Sequence, residues 1–360
     1  MEDTAPTRKN CLSVPEVLGQ RGLGLCKQLG ILDGRYKISR KKREVLLPLI
    51  RGLTDDETEH LRNELSSFEL GEEEFEPNLG RRPTVRQVLK GTVPQEFLGK
   101  LSRSLSTVGD IAIVEIPDEL SGFDEQIGNA VLAVNPNVKT VLKKASSIQG
   151  IYRTREFRVV AGENRTTTIH REYGCNFHVD LSKVYFNPRL GYERSRISRL
   201  VSEGEMILDM FAGVGPFSIH IARRVKNVKV IAVDINPAAI EYLRRNIEAN
   251  RVQDRVLPVL GDVERMVQEK LEGKVDRVIM NLPGSSEKYI SIACRALGVQ
   301  GGIVHYYRFS GGDRAIEEVE ENFVKGVKEA GRRVEEVVIA RKVVATAPRE
   351  WQIGLDARVR

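Results

Sequence analysis

The chain has no apolar run long enough to cross a bilayer, and its first ten residues, Met1 to Asn10, are polar with no signal-peptide core. Neither a membrane protein nor a secreted one is expected from this; the expected location is the cytoplasm. Cysteine is scarce. Cys11, Cys26, Cys175 and Cys294 are far apart and form no C-x-x-C pair. That spacing argues against a zinc site and against a disulfide framework, so they read as reduced thiols. Five histidines are scattered along the chain, and no metal centre or histidine-based triad is expected. There is no internal repeat.

Charge is plentiful by contrast. Charged residues make up 29% and hydrophobic residues 41% of 360 positions, the balance of a globular chain with room for two or three domains. The net charge is +6. Between Val141 and Leu200, 12 Lys/Arg face 5 Asp/Glu, so that segment alone carries 12 − 5 = +7. Such a concentration attracts polyanions by neutralising phosphates. The alternative is a solvated face of a charge-rich, thermophilic protein.

Four segments are expected. Residues 1–54 form a small N-terminal module with a helical pattern over Val14–Leu29, a basic stretch at 35–43 and a strand at Val45–Ile50. Residues 55–83 read as an acidic helix followed by a linker from Gly71 through Pro77 to Gly80. An α+β middle domain follows at 84–200, with a strand over Val108–Pro117, a helix over Phe123–Ala133, a strand over Val138–Lys143 and a β meander over Glu156–Asp180. From 201 to 360, apolar strands (Met206–Met210, Val228–Asp234, Val256–Leu260, Val275–Asn281, Gly302–Phe309) alternate with amphipathic helices. This alternation predicts an α/β, doubly wound, mostly parallel sheet. Two β-rich runs split by Ala347-Pro-Arg349 are expected to close it as an antiparallel edge.

The stretch Met206-Ile-Leu-Asp-Met-Phe-Ala-Gly-Val-Gly-Pro-Phe217 reads as strand, tight turn and helix N-terminus, where such a fold holds a nucleotide-like cofactor. Its spacing is D-x-F-x-G-x-G, without the third glycine of the dinucleotide fingerprint, which disfavours NAD. The next strand ends in Asp234-Ile235, at the distance where an acid reaches ribose hydroxyls. Asn236 and Pro237 open the following helix as N-cap and first residue, and the third strand ends at Gly261-Asp262. Each acid alone could be an N-cap or a strand-end turn. Together they resemble the site of class I methyltransferases, which bind S-adenosylmethionine. The resemblance implies cofactor binding by Asp209, Phe211, Gly213, Gly215, Asp234, Ile235 and Asp262.

The fourth strand runs into Asn281-Leu-Pro-Gly284. Many amine methyltransferases carry N-P-P-Y/F here; Gly284 stands where their stacking aromatic would be, which argues against exocyclic amine methylation. Asn281 still offers a carbonyl and an amide to a base edge. With Asn281-Leu-Pro283, the segments Tyr152-Arg-Thr-Arg-Glu156, Ala161-Gly-Glu-Asn164, Ile169-His-Arg-Glu-Tyr-Gly174 and Asp180 to Leu190 running into Glu193-Arg-Ser-Arg196 resemble the archaeal and eukaryotic tRNA (guanine-37-N1)-methyltransferase family. The likeness spans nearly the whole chain and is looser in the first block. It implies a three-domain enzyme acting on tRNA, its N-terminal module on the outer corner and the rest on the anticodon loop. Glu193 matches the general base, Arg153 the arginine that stabilises O6, and Asn281 the residue positioning the base. Tyr185 matches an aromatic beside cofactor and base, Pro283 and Asn281 also line the cofactor, and Arg194 matches a tRNA contact. Arg189, Arg155, Lys143, Lys144, Arg40 and Lys41 complete the expected RNA surface, and a monomer is expected.

Bland alternatives stand beside these roles. Glu193-Arg194 could be an exposed charge pair, Arg153 a phosphate contact, Tyr185 ordinary core. Rival functions are aminocarboxypropyl transfer in wybutosine synthesis, dual N1/C7 methylation of guanine and a wyosine precursor, and a non-catalytic RNA-binding protein with a vestigial pocket.

Overall fold

The computed structural model describes residues 6–78, 83–101, 105–146 and 150–360. It divides into two compact units, Met1–Thr84 and Val85–Arg360.

In the first unit β1 (Thr7–Pro15), α1 (Gly19–Gln28), β2 (Ser39–Lys41), β3 (Glu44–Pro48), α2 (Asp55–Glu64) and β4 (Glu69–Phe75) follow in order. The sheet runs β2-β3-β1-β4 and is antiparallel throughout. Leu12, Val14 and Leu47 from the sheet bury against Leu25, Cys26 and Leu61 from the helices. A capping box of Thr54 and Glu57 starts α2.

Two expectations are corrected in this unit. Val14 belongs to β1, and the α1 helix begins only at Gly19, because the apolar residues before it alternate into the sheet core. Gly71–Pro77 is not a linker. Its glutamates lie on β4 opposite a basic stretch of β1, with Lys9 facing Glu73 and Arg8 facing Glu74. Arg8 Nε lies 3.0 Å from Glu72 and Lys41 Nζ 3.0 Å from Glu73. Opposite charges across a strand pair are favourable, so an acidic run that reads as linker by composition folds as the partner of a basic strand. The end of that expected linker, residues 79 and 80, falls outside the described residues.

The second unit opens with α3 (Val85–Val88), α4 (Gln95–Leu98), β5 (Ser106–Val108), β6 (Ile111–Val114), α5 (Asp124–Val134), β7 (Thr140–Lys144) and β8 (Phe157–Gly162). Its strands form a sheet in the order β5-β6-β7-β8. The expected single strand over Val108–Pro117 is broken at Gly109-Asp110. Gly109 has φ +55°, and the Asp110 carboxylate accepts bonds from Arg165 and Thr168, both at 2.7 Å, so the turn is held from outside the hairpin. Nor is Glu156–Asp180 one meander. β8 pairs with β7, while β9 (Thr167–Glu172) and β10 (Cys175–Asp180) form a hairpin of their own around Tyr173-Gly174, both at positive φ.

Then come α6 (Gly191–Leu200), β11 (Met206–Asp209), α7 (Pro216–Arg224), β12 (Lys229–Asp234), α8 (Pro237–Ala249), β13 (Val256–Leu260), α9 (Val263–Met266), β14 (Arg277–Met280), α10 (Ile290–Ala296), β15 (Gly302–Gly311), α11 (Ala315–Glu329), β16 (Val334–Ala347) and β17 (Glu350–Val359). The seven strands lie in the order β13-β12-β11-β14-β15-β17-β16. The first five are parallel, and β17 runs antiparallel between β15 and the edge strand β16. Chain order reverses direction between β11 and β14. That is the switch point where ligands bind in open α/β sheets. Val108, Ile111 and Leu142 share one buried core with Phe177, Ile207, Phe217 and Ile240, so the sequence boundary near residue 200 is not a boundary between cores. No helix among the described residues is long and apolar enough to cross a membrane.

Candidate active site

A cavity of about 520 Å³ opens at the C-terminal ends of β11, β12, β13 and β14, a size typical of small-molecule sites. One side is built from Met210–Val214, Asp234–Asn236 and Gly261–Val263; the other from Arg153, Tyr185 and Asn281–Pro283.

On the first side, the turn after β11 places Gly213 at φ +55° and Gly215 at φ +85°. The two glycines do different work. A side chain at Gly213 would meet nothing nearer than the Tyr185 carbonyl at 4.0 Å, so this backbone faces open cavity. A Cβ at Gly215 would lie 2.2 Å from Leu243 Cδ1, so that position serves the approach of α7 to α8. Asp234 accepts from the Gly213 N–H at 2.7 Å and from the Asn236 N–H at 2.8 Å, which fixes both the turn and its own carboxylate at the cavity wall. Burial pushes its carboxyl above the usual range. Asn236 caps α8 by accepting from Ala238 N–H at 3.0 Å. Phe211, Ile235 and Val263 line an apolar slot, with Tyr289 edge-on to Phe211 at 4.9 Å. Asp262 lines the cavity while also capping α9 through Glu264 N–H, 2.8 Å away.

Asp209 is placed differently from expectation. It does not line the cavity but lies beneath it, 1% exposed. Its Oδ2 accepts from Ser218 Oγ at 2.7 Å, while Oδ1 has no partner. Burial, with the Asp234 charge adding to it, pushes its carboxyl up to about 7. Its part is to support the turn from below. The set as a whole, an acid at the end of β12, apolar walls and a glycine turn with room above it, has the size and polarity that suit an adenine nucleoside.

On the second side, Arg153 has a left-handed backbone, φ 54°, at a cost of about 1–2 kcal/mol for a residue with a Cβ. Its guanidinium lies 5.7 Å from the Tyr185 ring centre. A Cβ added at Gly284 would come within 3.4 Å of Arg153 Nη1. Gly284 therefore leaves room for a cation where related sites carry an aromatic. Asn281 is oriented by Gln352, whose Nε2 donates to Asn281 Oδ1 at 3.0 Å. With Oδ1 engaged, Asn281 offers its Nδ2 as a donor to the cavity.

Glu193 stands behind this wall. It occupies the first turn of α6, between Leu190 and Arg194, which do line the cavity. The residue is 1% exposed. Tyr307 Oη and Arg196 Nη2 donate to its Oε1 at 2.8 and 2.7 Å; Arg196 Nε, at 3.0 Å, and Arg341 donate to Oε2.

Residues 168–339 match the model of the TRM5/TYW2 methyltransferase domain, and residues 85–166 that of the TYW2 N-terminal domain. The chain is 41% identical over 340 residues to the tRNA (guanine(37)-N(1))-methyltransferase Trm5b of Pyrococcus abyssi, covering 92% of this chain and 93% of that one. It belongs to the tRNA (guanine(37)-N(1))-methyltransferase family. The crystal structure of Pyrococcus abyssi Trm5b superposes with a TM-score of 0.73 at 38% identity over 98% and 99% of the two chains. A complex of aTrm5 with tRNALeu gives 0.67 at 35% over 97% and 99%. Pyrococcus horikoshii TYW2 in complex with MeSAdo gives 0.64 at 29%, over 76% of this chain and 97% of that one. The seven-stranded domain is thus a class I methyltransferase fold, and the cofactor of this methyltransferase is S-adenosylmethionine.

In this member of the family the expected RNA-binding residues part company. Arg189 is exposed and has no carboxylate partner among the described residues. Arg155 is half-buried with an unpartnered Nε. Arg40 and Lys41 lie exposed on β2, paired with Glu16 and Glu73. Lys144 pairs with Glu115 at 3.2 Å. Two differ from the surface contacts expected. Lys143 is half-buried and pairs with the buried Asp124 at 3.1 Å, with Arg158 also on that carboxylate. Arg194 is 2% exposed; its Nη1 donates to Glu172 at 2.8 Å, its Nη2 to the Asn187 carbonyl at 2.7 Å, and it stacks on Phe186. Both Nη groups are engaged internally, while Nε is buried without a partner at the cavity wall. Sequence reasoning did not find Gln352, Tyr289, Tyr307 or Arg341. They come from distant segments with no spacing signal; only the β-rich edge that carries Arg341 and Gln352 was visible. No cluster of potential metal ligands occurs among the described residues.

Proposed function

We propose that this chain transfers the methyl group of S-adenosylmethionine to N1 of guanosine 37 of tRNA. The observation that carries this reading is the single cavity that joins a nucleoside-shaped half, at Asp234 and Gly213, to a half offering Arg153 and the Asn281 donor. The relatives named above as tRNA (guanine(37)-N(1))-methyltransferases, and the aTrm5 complex with tRNALeu, point to the same substrate.

The chemistry asks for such an arrangement. Guanine N1 carries a proton and is a poor nucleophile until a base removes it. As the proton leaves, negative charge grows on O6. The Arg153 guanidinium and Asn281 Nδ2 are the donors available to it, and they favour the transition state over the ground state. Bound beside Asp234, S-adenosylmethionine supplies an electrophilic methyl group. Glu193 takes the proton, Tyr185 packs beside the base, and the guanosine is extruded from its stack to enter. Arg189 and Arg155 meet backbone phosphates, and the first unit, with Arg40 and Lys41, meets the outer corner. Both halves of the cavity come from one chain, which supports action as a monomer, and the cytosol, where tRNA is met, is the site of action.

A second reading is aminocarboxypropyl transfer, or added methylation, in wyosine synthesis, favoured by the match of 85–166 to a TYW2 N-terminal domain. The likeness to Trm5b extends through both units, whereas the TYW2 structure covers 76% of the chain, which supports N1 methylation as the first activity. The test is incorporation of labelled methyl into tRNA transcripts with guanosine or adenosine at position 37. Incorporation lost with adenosine supports the proposal; equal labelling of both transcripts refutes it. No cofactor binding at all would revive a non-catalytic RNA-binding role.

A further inference from the structure

The carboxylate of Glu193 has four donors and almost no exposure, so a guanine N1–H cannot reach it as it stands. For this residue to accept a proton, one donor has to leave. The three side chains around it are not equally able to do so. Tyr307 is fully buried, its ring against Phe217 at 5.8 Å and its carbonyl accepting from Ser286 Oγ at 2.6 Å. Arg196 is tied on its other side to Asp356 at 2.7 Å. Asp356 in turn bonds His305 at 2.7 Å, and His305 lies 2.8 Å from Arg277. This chain of buried groups runs on to Glu205, which holds Arg277 at 2.6 Å. Moving Arg196 would break the whole series.

Arg341 has no such ties. It is carried by the edge strand β16, its side chain is 26% exposed, and its guanidinium lies 5.8 Å from the ring of Tyr192, itself exposed. Glu193 is the one carboxylate it meets among the described residues, and its Nε is buried without a partner. Breaking the Glu193 contact therefore costs Arg341 a single ion pair, which a phosphate at the surface can replace.

We infer that Arg341 is a positioning residue that locks Glu193 in the free protein and releases it when an RNA phosphate draws the guanidinium outward. The inference rests on Glu193 being the base, as proposed above. In the locked state Arg196, Tyr307 and Arg341 all face the carboxylate and keep it occupied. In the released state Oε2 keeps the Arg196 Nε donor alone, so one of its lone pairs is open, and with one fewer cation beside it the carboxylate is more basic. An N1 proton then passes to Oε2 as the N1–methyl bond forms and the sulfonium–methyl bond breaks, leaving a neutral thioether and a protonated Glu193.

Single-turnover methyl transfer to a tRNA transcript with guanosine 37, measured from acid to neutral pH, tests this in wild type, Arg341→Gln, Arg341→Lys and Glu193→Gln. Removing a neighbouring cation raises a carboxyl by about one pH unit or more. Locked and released forms exchange in the tRNA complex and the locked form holds the wild-type limb down, so the acid limb of the Arg341→Gln profile should move up by about one unit, the variant matching wild type in acid and running about tenfold faster above the limb. Arg341→Lys, which keeps the charge, should restore the wild-type limb. A variant-to-wild-type ratio that stays flat with pH, in Arg341→Gln protein that still binds cofactor, overturns the lock. Should Arg341→Gln not fold, Arg341→Lys decides: a displaced limb with charge retained overturns it, and an unmoved limb supports it. A wild-type rate in Glu193→Gln would instead overturn the base assignment, so the two failures are told apart.

Discussion

The two halves of the cavity are built in opposite ways. The cofactor half consists of strand ends, a glycine turn and backbone N–H groups already engaged with Asp234, so its geometry comes with the sheet. The acceptor half is assembled from a left-handed arginine in a loop, an asparagine pinned by Gln352, and a carboxylate held behind the wall by Arg196, Tyr307 and Arg341. The difference teaches where rearrangement is needed. A nucleoside cofactor can bind to what is there, whereas the Glu193 carboxylate is closed to a ligand until one of its donors leaves.

This contrast breaks most visibly at Glu193. Glu193→Gln is expected to slow single-turnover methyl transfer by about 10²–10⁴-fold while cofactor affinity stays within a factor of about two. Loss of both together would mean that the halves are not separable. Arg153→Ala is expected to lower the same rate by about 10²–10³-fold, measured at saturating tRNA, since O6 loses its cation. An effect on tRNA affinity alone would make Arg153 a phosphate contact instead. On the other half, Asp234→Ala should weaken cofactor binding by about tenfold or more, from the loss of charge-assisted hydrogen bonds of about 1.5–3 kcal/mol each; calorimetric titration reads it directly. Removing residues 1–84 should weaken binding of whole tRNA several-fold and leave binding of an anticodon stem-loop unchanged, as filter binding would show.

A smaller effect separates Asp209 from the rest. Its carboxyl is raised to about 7 in the folded protein by burial, against an ordinary value of about 3.9 in an unfolded chain. A raised group contributes stability that is fully present below the unfolded value and is lost as pH rises through the folded one. Wild type should therefore lose stability relative to Asp209→Asn between about pH 4 and pH 7. Denaturant midpoints of the two proteins across that window check the sign. Glu172 and Asp356, held low by their histidine and arginine partners, act in the opposite direction in both proteins and cancel from the comparison.

Much of the cofactor half was legible in the sequence, because a parallel strand announces itself as an apolar run and its end as an acid or glycine. Asp234, Gly213, Phe211 and Ile235 are at the cavity for that reason. Asp209 and Gly215 were found by the same pattern but support the turn, a distinction that depends on the side chain's depth below the strand end and on Leu243, nearly thirty positions after Gly215. The acceptor half was reached by resemblance alone. Nothing in local spacing says that Arg341 meets Glu193, because only the fold joins β16 to α6. The resemblance placed Arg194 among the tRNA contacts, and its guanidinium pairs with Glu172; charge patterning misled at Lys143, whose ammonium turns inward to the buried Asp124 carboxylate. It misled once more at β4, where an acidic run was a strand facing basic neighbours.

The most direct test of the account is nucleoside analysis by mass spectrometry of an unmodified tRNA transcript, carrying guanosine at position 37, after reaction with S-adenosylmethionine. The expected modified nucleoside is 1-methylguanosine, lost in Glu193→Gln. Methylation at N7 or on the exocyclic amine, or an aminocarboxypropyl adduct in its place, would contradict it.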